Sequence, residues 1–205
     1  MNQINQEFRS RILVLDTETG GLNPDQHSLL SIGLVSWDQR HQRELFVAEP
    51  QLRFDPRSME VNGIDLDWIR REGLHPLRAC EALEAFIDEI EAPRPFLIAG
   101  HNISFDLAFI RRLYRVAQRP LPSAFSHRSI DTHTLLWALA AVGRLPKEAC
   151  SSDGAFRHFD VAPPQELRHT ALGDAVATRA LLERLLDELA MSGSAFSAAA
   201  LSALG

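Results

Sequence analysis

Cysteine is scarce in this chain, with only Cys80 and Cys150 among 205 residues. They lie far apart, and neither has a partner at metal-ligand spacing, which excludes a disulfide-stapled secreted fold and a zinc module. Two buried free thiols in a reducing cytosol are expected, with Cys80 on the apolar face of a helix. Lysine is scarcer still, since 20 of the 21 basic residues are arginine and Lys147 is the exception. Guanidinium groups suit bidentate phosphate contact, although genome composition produces the same bias. Long apolar runs are also missing. The longest, Leu135 to Val142, falls far short of a bilayer span of roughly 20 residues and reads as a buried helix face. Met1 to Glu7 is polar and lacks the basic-then-apolar pattern of a secretion signal. A cytoplasmic protein without membrane contact is expected.

What is present is ordinary for a globular chain, at 45% hydrophobic and 23% charged residues. Its length suits one domain over residues 1–205, with a core over about 10–190 and a frayed Ala/Ser-rich tail at 191–205. The formal charge of −6 argues against a generic nucleic-acid coat protein. Acids gathered at a metal site would mislead that argument, because two divalent cations would bring −6 to −2.

Periodicity predicts strands at 11–16, 29–37, 44–48, 96–100 and 129–131, with a hairpin joining the second and third. Leu77, Cys80, Leu83, Phe86, Ile87 and Ile90 recur at helical spacing over 76–91, ended by Pro93 and Pro95. Further helices are predicted from Ser104 as N-cap, over 133–142 with Asp131 as N-cap, and over 171–189. Strands followed by alternating helices and strands imply an α/β domain with a mixed sheet. No internal repeat or long linker interrupts the pattern.

Asp16-Thr17-Glu18-Thr19 closes the apolar run Ile12 to Leu15. Side chains alternate along a strand, so Asp16 and Glu18 project into one crevice. Two carboxylates so placed repel unless a cation lies between them. Hard oxygen ligands favour magnesium or manganese over zinc. Asp106 falls in the first turn of the helix after the fourth strand, where a helix dipole favours an anion, and strand ends at one edge of an open sheet share a crevice. His169 and Asp174 are five positions apart, about 140° on a regular helix. His169 therefore belongs to the loop before the last helix, with Asp174 on its first turns facing the sheet and Gly173 leaving room for close approach. Taken singly, each has an ordinary reading: Asp106 as a helix cap, His169 as a surface histidine, Asp174 as an N-terminal charge. Histidines 27, 41, 75, 127, 133 and 158 lack zinc-like spacing and read as structural or exposed.

In this order, Asp-Thr-Glu-Thr-Gly at 16–20, His-Asn-x-x-Phe-Asp at 101–106 and His-x-Ala-x-x-Asp at 169–174 resemble the three motifs of the DEDDh 3'-5' exonucleases. That family includes the proofreading epsilon subunit of bacterial DNA polymerase III, ribonuclease T and oligoribonuclease. The resemblance covers about residues 10–190. It implies a ribonuclease-H-like, five-stranded mixed sheet flanked by helices, and two Mg2+ or Mn2+ ions. By the match, Asp16 bridges both ions, Glu18 and Asp174 hold the ion that carries the attacking water, and Asp106 supports the second. His169 is then the general base. The chemistry agrees, since two ions about 4 Å apart activate water and stabilise both the phosphorane and the leaving oxygen.

The same match places Thr17, Thr19, Gly20, Leu22, Asn62, Ile64, Asn102 and Phe105 at the terminal nucleotide, with Leu22 as a wedge. Core packing explains Phe105 equally well. Asn62-Gly63-Ile64 departs from the His-Gly-Ile usual in relatives, and Ser31 stands where many carry glutamate. Arg111, Arg112, Arg115 and Arg119 are expected either to follow a phosphate track or to form a solvated helix face. The implied activity is removal of nucleoside 5'-monophosphates from single-stranded or frayed DNA ends. Alternatives are RNA trimming and a non-catalytic polymerase-docking module. A DNA polymerase partner and a homodimer are left open.

Overall fold

The computed structural model describes the backbone of residues 3–202 and the side chains of residues 6–190. Helix α1 (Gln3–Ser10) leads into β1 (Ile12–Thr19), β2 (Leu29–Ser36) and β3 (Gln42–Phe46). Then come α2 (Pro56–Asn62), α3 (Leu66–Glu72), α4 (Pro76–Glu89), β4 (Phe96–Gly100), α5 (Ile103–Val116), β5 (Phe125–Asp131), α6 (Thr132–Ala141), α7 (Ser152–His158) and α8 (Ala171–Ser202). The sheet order is β3-β2-β1-β4-β5. Strands β1, β2 and β3 pair antiparallel, whereas β4 runs parallel to both β1 and β5. This is the mixed five-stranded α/β sheet expected.

Strand alternation divides the core into two layers. Leu13 and Leu15 face Cys80, Leu83 and Phe86 of α4 and Phe109, Ile110 and Leu113 of α5. Ile12 and Val14 face the opposite side, against Ala175 and Leu182 of α8. A smaller cluster joins Leu136 and Leu139 of α6 and Phe156 of α7 to Leu181 and Leu185 of α8. Cys80 and Cys150 are both buried and unpaired. No helix among the described residues is long and apolar enough to cross a membrane.

Several boundaries differ from expectation. Strand β1 continues through Thr19, so the acid pair lies on its last residues rather than beyond it. Strand β3 ends at Phe46 rather than Ala48, and β5 begins at Phe125, four residues before the expected start. Helix α5 begins at Ile103, with Asn102 in left-handed backbone (φ 59°) at the cap position that Ser104 was expected to fill. Helix α8 continues to Ser202, past the expected end at 189. The expected frayed tail falls on side chains and terminal residues outside the described set. Helices α2 and α3 were not foreseen, although Asp55-Pro56 and Asp65 supply ordinary start signals, with Asp65 accepting from the N–H groups of Asp67 and Trp68. Each is only seven residues long, too short for its periodicity to stand out.

The start of α8 rests directly on β2. A Cβ on Gly33 would lie 2.1 Å from the Ala171 carbonyl oxygen, so only glycine permits this approach. Gly33 is also the cross-strand partner of Asp16. Gly33→Ala is expected to lower unfolding stability by about 1–3 kcal/mol through overpacking and to reduce kcat by displacing Asp174. Urea unfolding and turnover measure the two, and a wild-type midpoint would contradict this tight packing.

Candidate active site

The two-layer core decides which acids meet. Asp16 and Glu18 continue the Ile12 and Val14 side of β1 and so face α8. Asp174, 8% exposed on the first turn of α8, lies there. One carboxylate oxygen from each of Asp16, Glu18 and Asp174 lies within 4.8 Å of the others. Thr17 points to the other side, and its hydroxyl donates to Asp106 Oδ1 at 2.7 Å. Asp106 therefore flanks the trio from the α5 side and is not among the three clustered carboxylates. Its charge is still among the causes that raise Asp16.

These carboxylates hold protons tightly. Burial, followed by the charges of Asp106, Asp174 and Glu18, pushes Asp16 well above the usual carboxylate range. Burial and Asp174 push Glu18 to about 8. Burial raises Asp106 to about 7 against the Thr17 hydrogen bond. Asp174 is raised by burial and opposed by Arg168. Asp174 Oδ1 is buried with no hydrogen-bond partner. Crowded, desolvated oxygens with unused lone pairs fit a hard divalent cation.

The elevated values carry a sign. Because the folded-state pKa values lie above those of exposed carboxylates, protonation of these groups favours the fold. That contribution is fully present below the ordinary carboxylate range. It is lost as pH rises through about 7 for Asp106 and about 8 for Glu18. In EDTA, Tm is therefore expected to fall across this interval, and saturating Mg2+ should remove most of the fall. Parallel pH profiles with and without metal would contradict a repulsive crevice.

His169 is half-buried in the loop before α8, in left-handed backbone with φ 63°. The loop closes tightly, since a Cβ on Gly173 would lie 2.0 Å from the Leu167 carbonyl oxygen. The mouth of the site is set by the turn after β1. Thr19 Oγ1 donates to the Gly21 carbonyl, and the Gly20 N–H donates to the Ser28 carbonyl, both at 2.8 Å. Leu22 protrudes at 80% exposure. Asn62 Nδ2 donates to the Thr19 carbonyl at 3.1 Å, and Asn62 Oδ1 accepts from Ile64 N–H, tying the end of α2 to the end of β1. Asn102 is exposed, and its N–H donates to Asp131 Oδ1 at 2.8 Å. Asp131 also accepts from His133 N–H as the N-cap of α6, the role expected of it. Phe105 is half-buried, 5.1 Å from Phe109 between ring centroids.

The arginines of α5 and the turn after it have different partners. Arg112 is buried and forms a two-pronged ion pair with Glu49, so it belongs neither to a phosphate track nor to a solvated face. Arg119 is held by Glu84 at 2.6 Å. Arg111 and Arg115 are exposed, Arg115 pairing loosely with Asp25 at 3.4 Å. Two site neighbours were missed. Arg168 pairs with Asp174, a contact that its position directly before His169 hints at. Glu44 of β3 is pushed up by burial, opposed first by a hydrogen bond with Ser31 and then by the Leu172 and Ala171 N–H groups at the start of α8. Nothing local in the sequence marks Glu44, because the pairing of β3 with β2 brings it there.

A mixed sheet whose central strand ends in a crowd of partly buried carboxylates can hold a hard divalent cation. The exonuclease family model RNase_T matches residues 13–182. The chain belongs to this exonuclease family, in agreement with the resemblance of its motifs to the DEDDh 3'-5' exonucleases, and it is a nuclease enzyme. The 3'-5' DNA exonuclease Cap18 of Escherichia coli is 30% identical over 178 residues, which make up 85% of this chain and 90% of that protein. A DNA polymerase III subunit epsilon-like protein of Rhodobacter capsulatus is 34% identical over 194 residues, 88% of this chain but only 24% of that protein. Among solved structures, E. coli Exonuclease I in complex with a dT13 oligonucleotide superposes with a TM-score of 0.69. Its identity is 16%, covering 87% of this chain and 43% of that one. The moderately thermophilic Exonuclease I from Methylocaldum szegediense gives 0.67 at 18% identity, covering 86% of this chain and 40% of that one. At such identities the likeness shows a shared fold, and the chain spans less than half of those enzymes.

Proposed function

We propose that the chain is one cytoplasmic exonuclease domain that removes nucleoside 5'-monophosphates from the 3' end of single-stranded or frayed DNA. The observation that carries this reading is the convergence of Asp16, Glu18 and Asp174 oxygens within 4.8 Å, with Asp174 Oδ1 buried and unpartnered. Asp16, Glu18 and Asp174 would hold one Mg2+ or Mn2+, and Asp16 with Asp106 a second. When bound, the ions supply Lewis-acid stabilisation of the phosphoryl oxygens and activation of water.

The chain's own groups do the rest. His169 accepts the proton of the attacking water through a ring nitrogen. Its loop is fixed by the close contact of Gly173 with Leu167. The Thr17 hydroxyl orients Asp106. Leu22 and Ile64 offer apolar surface to the terminal base, with Asn102 and Phe105 as further contacts to the nucleotide. Asn62, tied to the Thr19 carbonyl, holds the Gly20 turn against the 3' nucleotide. The 30% identity with a 3'-5' DNA exonuclease supports both the direction and the choice of DNA. The epsilon-like relative supports a polymerase as a partner.

Incubation with 5'-labelled single-stranded DNA and RNA of matched sequence, in Mg2+ and in EDTA, tests the reading. The expected result is a ladder shortening from the 3' end, faster on DNA and abolished by EDTA. A faster RNA ladder would transfer the substrate to RNA, and intact label in both Mg2+ and Mn2+ would overturn the activity.

A further inference from the structure

Arg168 places a guanidinium inside the acidic crevice. It pairs through Nη1 with Asp174 Oδ2, while Nη2 and Nε reach Asp153 Oδ1 of α7 at 2.6 and 3.1 Å. Its guanidinium carbon lies 5.3 Å from the centroid of the Phe156 ring, and its side chain is only 18% exposed. One planar fork thus has two acids on two different helices and an aromatic face against it. A planar five-donor cation is suited to such a site.

We infer that Arg168 is a built-in counter-cation that pairs with Asp174 and sets how tightly the crevice takes its divalent ion. The inference rests on the reading of Asp16, Glu18 and Asp174 as a metal site. A divalent cation on the unpartnered Asp174 Oδ1 would share one carboxylate with the guanidinium on Oδ2, so the two positive charges compete for the same anion. Asp153 and the Phe156 ring hold the guanidinium from the other side, through Nη2, Nε and the ring face. This leaves Arg168 anchored to α7 while His169, the next residue, projects from the same loop. Arg168 is a positioning residue that acts through Asp174, and Asp153 is the acid that draws its charge away from the crevice.

A purely structural tie between α7 and α8 makes the opposite prediction for metal binding. Loss of such a tie would loosen the His169–Asp174 loop and weaken the site. Loss of a competing cation tightens it. Mn2+ is titrated into the metal-free full chain without nucleic acid, and free Mn2+ is read from its electron paramagnetic resonance signal. Arg168→Gln is expected to lower the Kd at least threefold. Asp153→Asn is expected to raise it by a similar factor, because the guanidinium then has Asp174 as its remaining acid. An unchanged or higher Kd in Arg168→Gln overturns the inference. If that variant does not fold, an unchanged or lower Kd in Asp153→Asn overturns it instead. Absence of saturable Mn2+ binding by the unaltered protein would refute the metal site, and this inference with it. Saturable binding indifferent to Arg168 refutes the inference alone.

Discussion

Asp16→Ala is expected to abolish metal-dependent hydrolysis, with kcat falling by about three powers of ten or more. In the proposed site Asp16 is the acid shared by both ions, and several kcal/mol of transition-state stabilisation correspond to that factor. The same substitution should leave the metal-free fold at least as stable as before. Asp16 is raised well above the usual carboxylate range by burial and by three neighbouring acids, so removing it relieves repulsion. Activity therefore falls while Tm in EDTA stays level or rises. Nucleotide release from labelled single-stranded DNA and a thermal melt of the same preparation read the two quantities. Normal Mg2+-dependent turnover in Asp16→Ala would refute the whole site. Lost turnover with a lowered Tm would point to misfolding instead of a lost ligand.

His169→Ala is expected to lower kcat at least about tenfold near neutral pH with little change in KM, the range for loss of a general base. His169 lies in left-handed backbone at φ 63°, a conformation that histidine and asparagine adopt more readily than alanine. Asparagine tolerates that backbone and cannot replace imidazole as a base. His169→Asn should therefore match the alanine variant in lost turnover while retaining more of the wild-type Tm. The rate of both variants should also respond to rising pH differently from wild type, since hydroxide supplies what the imidazole no longer does. Near-normal turnover at neutral pH in His169→Asn would remove His169 from the role of base.

The parts of the site that could be read in the chain are those encoded within a few residues. Alternation along β1 puts Asp16 and Glu18 on one side whatever the remaining fold, because a strand has a period of two. The five-residue step from His169 to Asp174 is incompatible with one helical face, so the loop position of His169 also follows locally. The apolar strand at 96–100 and the helix at 76–91 carry patterns long enough to recognise. Seven-residue helices such as α2 and α3 do not, and they were visible only through their capping residues.

Tertiary packing decided which charges are free and which are spent. Arg111, Arg112, Arg115 and Arg119 look alike along α5 and the turn after it. Only the fold shows Arg112 buried against Glu49, sixty-three positions away, and Arg119 held by Glu84. Likewise Asp106 belongs beside Thr17 on the α5 side of the sheet, while Asp174 joins Asp16 and Glu18 on the α8 side. The contact of α8 on Gly33, the approach of Glu44 to the start of α8 and the fork of Arg168 between Asp153 and Asp174 are likewise decided by the fold. A sequence determines the order and facing of groups within an element, since backbone geometry is local. The partners of a charge are determined by which elements pack together, and that depends on the whole core.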